Sequence, residues 1–512
     1  MFTYKVVFLF HIFFRKIFKL DLRPHFIKFT YTLHYYKSTP LKEKPAQNLF
    51  IQKLKKAFSN YKEDGDKRLL WEFHRLDFIN DNKIPFENRL KDLITWMDQL
   101  KNFNLIIFEN MMECSIRASN IIIFFQNNIS KFSKKETLFI KKHIKRTHYL
   151  NYLAPDMYIK RSGIIFRDES NNHFIFCLFF QLLYFYQKKI QLNNKLDKYL
   201  KYINLKFSDD GYLKEGSSFY SYSVANAVLK ILFLIRKETD IKKYNFIFKA
   251  VCSAEDMELD LKNINFGDKD GTIILPFLDL DEDFINYASN TTSGHKYDLK
   301  DNIALMKQND LKIIINMRKV YNYGTLGHYH DDYGHFNLYT DNQPIIVDPG
   351  TLSYSSSKKR FDTSSFHNAL SIEDSKSMTL IRNFEKLFHN KNKSTISDNS
   401  IILKKENSVG TATRKFFLDS FSIVDEFNYK DDAKIHIFFT SEPMIKDDQK
   451  NIISLIFNNL IIKISCNDLF NYNIEPSLIA KNYSEPTNAY LLIMNFKKLV
   501  NYKLKWEIKC LN

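Results

Sequence analysis

GHYHDDYGHFNLYTDNQPIIVDPG, residues 327–350, is the stretch on which the fold turns. HFNLY and QPIIV are short runs with aromatic and β-branched residues, and TDNQ between them carries turn residues, so the stretch predicts a β-hairpin. Pro349–Gly350 then turns the chain after the second strand. Alternate residues of a strand share a face, so His328, His330 and Asp332 are expected to point the same way. The hairpin should bring Asp348 back near His330, and a third strand is expected to begin at His367, in FHNALSIED. His, His and Asp from adjacent strands offer the nitrogen and oxygen ligands that zinc accepts. A lone histidine at a strand end more often hydrogen-bonds a loop carbonyl. HxHxD followed by DPG and then His-Asn is a denser pattern and reads as a functional site.

Outward from this stretch the chain has two rhythms. On the C-terminal side short runs alternate with turn signals: LKIIINMRKV (311–320), NSIILKKE (399–406), FSIVDEF (421–427), AKIHIFFTS (433–441) and NLIIKIS (459–465). Such runs predict an antiparallel β-sandwich. On the N-terminal side apolar residues recur at helical spacing over 88–103, 115–129, 135–154, 173–190 and 220–238. HFIFCLFFQLLYFYQKKI (173–190) is apolar nearly all round and predicts a central buried helix. Consecutive helical hairpins suggest an α-toroid or solenoid. Helices first and strands second give an α+β multidomain chain, divided at the Gly-, Pro- and Asp-containing junction 265–284. The expected domains are an N-terminal segment 1–50, a helical domain 51–275 and a β-sandwich domain 285–512.

Composition bounds the function. The 512 residues are 45% hydrophobic and 26% charged, which excludes a collagen, a mini-protein or a wholly disordered chain. Lys+Arg number 75 against 58 Asp+Glu, a formal +17, which points to a polyanionic partner. No nucleic-acid-binding module is recognisable. The lysines of SKKETLFIKKHIKR (133–146) read as a solvated helix face. DLDLDED (278–284) lacks the glycine and spacing of an EF-hand. The five cysteines are widely spaced with no CxxC pair, against a disulfide framework or a zinc ribbon. The opening MFTYKVVFLFHIFFRKIF has an apolar run, Val6 to Phe14, too short to span a bilayer. No clear signal peptide is present: one lysine precedes the run, His11 interrupts it and no A-x-A-like site follows. A cleaved signal, a short peripheral membrane anchor and a plain start of the fold are the readings of that segment.

Two further constellations stand near helix starts. SNNHF (170–174) precedes the most apolar helix, where Asn171 or Asn172 fits an N-cap. DGYLKEGSSFYSYS (210–223) opens another helix with Glu215, Tyr220 and Tyr222. Together with HYHDDYGHFNLYTDNQPIIVDPG and FHN, these segments resemble the heparinase II/III-like family of polysaccharide lyases, which includes some alginate lyases. The resemblance spans roughly residues 105–375 and extends, more weakly, to SIRASN (115–120) and NFGDKDG.

The resemblance implies an incomplete (α/α) toroid followed by an antiparallel β-sandwich. It implies a carbon–oxygen lyase of bacterial type that cleaves a uronate-containing glycan by β-elimination. The reaction must neutralise the uronate carboxylate, remove the C5 proton and protonate the departing O4. By position Asn172 and His173 match the neutralising pair, whose donors stabilise an enolate-like intermediate as an oxyanion hole does. Tyr220 matches the general acid, in some members also the base. A phenol with an ordinary pKa near 10 needs nearby positive charge to act as a base, and His328 would supply that charge or be the base itself. His330, Asp348 and His367 match a metal triad, usually zinc, whose role looks structural: pinning strands and orienting His328. Asp332 fits a supporting partner better than a ligand. Arg117, Glu215, Tyr354 and Arg360 are the candidate substrate contacts. Arg117 reads more readily as an ion-pair partner among the helices, and Tyr354 more readily as a packing residue. Two departures stand out. Ser221 sits where the family often has His after the tyrosine, and Phe361–Asp362 where it commonly reads Phe-Arg.

The expected partner is an acidic polysaccharide, and the expected location is the cell envelope, periplasm or exterior, with cytoplasmic or peripheral-membrane placement as alternatives. Two other functions compete. A non-catalytic acidic-glycan-binding protein of a capsule or exopolysaccharide system fits the departures at Ser221 and Asp362. A glycoside hydrolase needs two opposed carboxylates, for which Glu215 and Asp332 are the candidates.

Overall fold

The computed structural model of the chain describes residues 68–98, 110–153, 157–159, 165–167, 173–188, 193–208, 212–214, 216–236, 266–267, 274–278, 303–318, 330, 332–352, 367–369, 392–407, 410–429, 433–449, 451–482, 485–496 and 501–511. The readings of segment 1–50 therefore lie outside the described residues. The chain divides into two compact units: Met1–Lys206, Asn226–Lys243 and Thr272–Tyr287 form one, and Phe207–Ala225, Tyr244–Gly271 and Ala288–Asn512 form the other.

The first unit is helical. Its helices are α1 (Arg68–Phe73), α2 (Phe86–Asp98), α3 (Met111–Asn127), α4 (Lys134–Leu153), α5 (His173–Gln187) and α6 (Asn193–Lys206), and it takes the greater part of α7 (Ser218–Leu234). A two-stranded ribbon, β1 (Met157–Ile159) with β2 (Ile165–Arg167), follows α4. Local chemistry fixes the helix starts. The Asn110 side chain caps α3 by accepting from Met112 N at 2.9 Å. Ser133 and Glu136 form a reciprocal capping box at α4: Ser133 N donates to Glu136 Oε2 at 2.8 Å, and Glu136 N to Ser133 Oγ at 3.3 Å. As its composition predicts, α5 is enclosed: Phe174, Ile175, Phe176, Phe179, Phe180 and Leu183 are all buried. Each such side chain contributes roughly 1.5–3 kcal/mol on burial. α5 packs on α3, α4 and α6. Where α3 and α4 meet it, polar groups satisfy one another: Asn151 donates to Ser115 Oγ at 2.5 Å, and Gln181 to Asn151 Oδ1 at 2.7 Å. Arg75 grips Glu113 at the start of α3 with two bonds, 2.6 and 2.7 Å.

The second unit is a β-sandwich. Its strands are β3 (Ile303–Gln308), β4 (Leu311–Asn316), β5 (Phe336–Thr340), β6 (Gln343–Val347), β7 (Lys393–Ile396), β8 (Ser400–Asn407), β9 (Gly410–Phe417), β10 (Ser422–Tyr429), β11 (Ala433–Phe439), β12 (Met444–Gln449), β13 (Ile452–Phe457), β14 (Leu460–Cys466), β15 (Asn471–Asn482), β16 (Glu485–Phe496) and β17 (Tyr502–Cys510). An eight-stranded sheet has the order β12-β13-β14-β17-β10-β9-β8-β7 and a seven-stranded sheet the order β15-β16-β11-β6-β5-β4-β3. One core joins their inner faces, with Ile313, Phe336, Ile346 and Phe439 from the seven-stranded sheet and Phe416, Ile423, Leu455 and Trp506 from the other. The outer face of the seven-stranded sheet is also covered: Ile303 and Ile314 pack with Tyr212 and Phe266.

Two turns in this unit aim the residues of interest. Asp341 and Asn342 both have positive φ, 48° and 60°, the signature of a tight two-residue hairpin, and they join β5 to β6 as the TDNQ reading expects. After β6, Gly350 adopts φ 70° and its N–H donates to Asp348 Oδ1 at 2.9 Å, closing a turn that a Cβ would disfavour. The carbonyl of Pro349 accepts from Ala480 N at 2.8 Å, which docks this turn on β15.

Two strand expectations are corrected. β5 begins at Phe336, so His330 and Asp332 precede it, and Asp332 opens a turn closed by His335 N donating to Asp332 O at 2.9 Å. Gly334, at φ 80°, makes that turn, and His330 and Asp332 therefore do not present their side chains from one strand face; His328 lies outside the described residues. His367 and Asn368 likewise lie in a turn over the described residues 367–369, not at the start of a strand; the rest of FHNALSIED lies outside the described residues. The Asn368 amide does the work of a strand: its Oδ1 accepts from Phe336 N at 2.8 Å and its Nδ2 donates to Phe336 O at 2.9 Å.

Candidate functional site

His330, Asp348 and His367 come from three separate segments and meet at one point. All are at most 2% exposed, and one ligand-capable atom from each lies within 4.8 Å of the other two. The rings of His330 and His367 are 5.3 Å apart, and His367 Nδ1 lies 3.0 Å from Asp348 Oδ2. Asp348 has a divided carboxylate: Oδ1 is held by Gly350 N, while Oδ2 faces the histidines. Burial opposes ionisation of this carboxyl. The charge and hydrogen bond of His367, with His335 and His330 beyond, outweigh it and hold the pKa at about 2. Two imidazoles and an ionised carboxylate, dry and converging, fit a divalent metal ion.

His335 borders this cluster without belonging to it. Its Nδ1 accepts from Asn368 N at 3.1 Å, so its Nε2 carries the proton and donates to Asn337 Oδ1 at 3.0 Å. Nε2 stands 3.9 Å from Asp348 Oδ2. Burial, offset in part by Asp348, lowers the His335 pKa to about 4, so the ring is neutral at pH 7. With both nitrogens engaged it is a wall of the site, edge-on to His367 at 5.5 Å and to Phe266 at 5.7 Å.

Asp332 turns elsewhere. Its Oδ2 pairs with Arg318 Nη2 and accepts from Gly267 N at 3.2 Å. Asn316 completes this knot: its Oδ1 accepts from Arg318 Nε at 2.9 Å and its Nδ2 donates to Asp332 O at 3.0 Å. Phe266 and Gly267 thus tie the cluster to the start of α7, because Ser218 N donates to Phe266 O at 2.9 Å. Tyr220 lies half-buried in that first turn, its N–H on Ser217 Oγ at 3.0 Å. Ser221 is buried, donating to Ser217 O at 2.7 Å and accepting from Leu213 N at 3.0 Å. The position where the resembled family often has histidine here fastens the helix start.

The remaining expected residues divide between the two units or lie outside the description. His173 is half-buried at the start of α5 in the helical unit. Arg117 is 1% exposed there, bonded to His74 O at 2.6 Å with its guanidinium 5.0 Å over Trp96. Asn172, Glu215, His328, Tyr354, Arg360 and Asp362 lie outside the described residues.

Sequence reasoning missed Arg318, His335, Arg414 and Asp425. Strand parity marks the last two. In GTATRKFF, Arg414 falls between the inward-facing Ala412 and Phe416. In SIVDEF, Asp425 falls between Ile423 and Phe427. Opposite charges at inward positions of neighbouring strands announce a buried pair.

Residues 302–507 match the family described as Heparinase II/III-like, C-terminal. No curated protein matches the chain in sequence. Among solved structures it is similar to a heparinase III, with TM-score 0.59 and 14% identity over 92% of this chain and 79% of that one. It is similar also to a mutant of the heparan sulfate lyase HepC from Pedobacter heparinus, with TM-score 0.56 and 12% identity over 96% and 89%. A heparinase III gene product gives TM-score 0.57 and 14% identity over 96% and 84%. At these identities the likeness is one of fold.

Proposed function

We propose, from the match of residues 302–507 to the family described as Heparinase II/III-like, C-terminal, that the chain is a polysaccharide lyase cleaving a uronate-containing acidic polysaccharide by β-elimination. The observation that carries this reading is the buried His330–Asp348–His367 cluster within that domain, with Tyr220 on a helix start fastened to Phe266 beside it. We take the helical region as the incomplete (α/α) toroid of such enzymes, and a cell-envelope or secreted location follows from an extracellular glycan substrate.

In the proposed reaction Asn172 and His173 donate hydrogen bonds to the uronate carboxylate and disperse the charge that grows there. The C5 proton leaves to the Tyr220 phenolate or to His328, the C4–O4 bond breaks and a C4=C5 double bond forms. Tyr220 returns a proton to O4. Glu215, Tyr354 and Arg360 are assigned to substrate contact. We assign Arg117 to the helix core, because its guanidinium is enclosed by His74 and Trp96. His330, Asp348 and His367 would hold zinc, which when bound supplies charge and coordination that fasten their segments together. Turnover of alginate, heparan sulfate, hyaluronan and related capsule polymers, read as new near-ultraviolet absorbance, tests the reaction. Tyr220→Phe and His328→Ala are expected to abolish it, and full activity in both would remove these residues from the mechanism. A non-catalytic glycan-binding function draws support from Ser221, whose hydroxyl occupies the place of a second imidazole. Binding of a uronate polymer without any unsaturated product would favour it.

A further inference from the structure

Arg414 and Asp425 are charged residues in the middle of an apolar core. They face each other across β9 and β10 and are 0% exposed. The guanidinium is used twice over. Its Nε and Nη2 donate to Asp425 Oδ1 and Oδ2 at 2.6 and 2.8 Å, and Trp506 Nε1 adds a third bond to Oδ2 at 3.0 Å. Nη1 reaches across to the other sheet's connections, donating to Gly334 O at 2.7 Å and to Asn368 O. The guanidinium also lies 5.1 Å over the Phe336 ring.

A buried ion pair is poor value as a stabiliser, since apolar residues of similar volume commonly do as well. Its position therefore asks for another account. The two carbonyls it holds belong to the residue before His335 and the residue after His367. Asn368 continues the chain of contacts, with its N–H on His335 Nδ1 and its amide on Phe336. Two carbonyls from separate segments meet one planar donor, which a lysine ammonium on a flexible stem cannot reproduce.

We propose that Arg414, braced by Asp425 and Trp506, is a positioning residue for the metal centre. It clamps the His367–Asn368 turn against the Gly334–His335 turn and so sets where His367 Nδ1 stands relative to Asp348. This rests on the metal reading of His330, Asp348 and His367.

The test is cobalt(II) titration of the chelator-stripped full chain, read by the ligand-field spectrum and the binding midpoint. Arg414→Met with Asp425→Asn removes both charges, keeps the volume and leaves Trp506 an acceptor. Arg414→Lys keeps the charge and removes the fork. Both variants are expected to keep a native circular dichroism spectrum, to bind cobalt about 10- to 100-fold more weakly and to shift its absorption bands. Either variant, folded, with the parental midpoint and spectrum overturns the clamp and leaves the metal reading standing. A parental chain that binds no cobalt, or whose binding survives His330→Ala with His367→Ala, overturns the metal reading and the clamp with it.

Discussion

Asn368 shows how much one side chain can organise. Its amide replaces a strand's ladder, its N–H fixes the His335 tautomer, and its carbonyl lies on Arg414. Asn368→Asp keeps the acceptor for Phe336 N and loses the donor for Phe336 O, and it sets a carboxylate against that carbonyl. The expected cost is about 1–3 kcal/mol of stability, measured as a lowered midpoint in denaturant unfolding. An unchanged midpoint would deny Asn368 this role. At this scale the residue types of HxHxD, DPG and His-Asn marked the region, and the resemblance singled out His330, Asp348 and His367 within it. The geometric route to them was not legible, because the sequence pattern cannot distinguish a strand from a turn whose asparagine supplies the strand's bonds. Nor could it foresee that Asp332 would turn to Arg318, a partner fourteen positions earlier in the chain.

Five helices were legible where one face is buried and the residues are good formers. α2, α3, α4, α5 and α7 begin and end close to the apolar periodicity that predicts them. β3, β7, β9, β12, β13, β15, β16 and β17 went unread; of these β12 and β15 lie at sheet edges, where MIKDDQ can be polar and Pro476 needs no ladder bond on its open side. The helices also carry a pH dependence. His143 of α4 stands edge-on to Trp96 of α2, and burial, reinforced by Arg117 and Arg146, lowers its pKa to about 3. The unfolded chain gains this proton near pH 6.5 while the folded chain refuses it, so stability is intact above pH 6.5 and is lost as pH falls toward 3. Between pH 7 and pH 5 this residue accounts for a loss on the order of 2 kcal/mol. His143→Leu should flatten the dependence of the unfolding midpoint by that amount, and an unaltered slope would contradict it.

At the scale of the whole molecule, two compact units predict two unfolding transitions. His330, Asp348 and His367 all belong to the sheet unit. Chelation of the metal proposed there should lower the midpoint of that transition by several degrees and leave the helical one in place, as seen by differential scanning calorimetry. Equal movement of both transitions would count against a metal confined to the sheet unit. The division into helices and sandwich was legible from the change of rhythm along the chain. The +17 surplus was legible only as a number: among the described strands Lys404, Lys463, Lys503, Lys505 and Lys509 stand exposed on the eight-stranded sheet, where pattern alone assigns them no more than a solvated face.

The brace behind Arg414 has an optical consequence. The chain has three tryptophans, Trp71 and Trp96 in the helical unit and Trp506 in the sheet unit. Trp506 is 0% exposed, with its N–H on Asp425 and its ring 5.6 Å from Phe336. With Trp71 and Trp96 replaced by phenylalanine, the remaining indole emission would originate one hydrogen bond from the guanidinium–carboxylate pair. The protein would then carry its own fluorescent gauge of the sandwich interior, readable in real time and without any label.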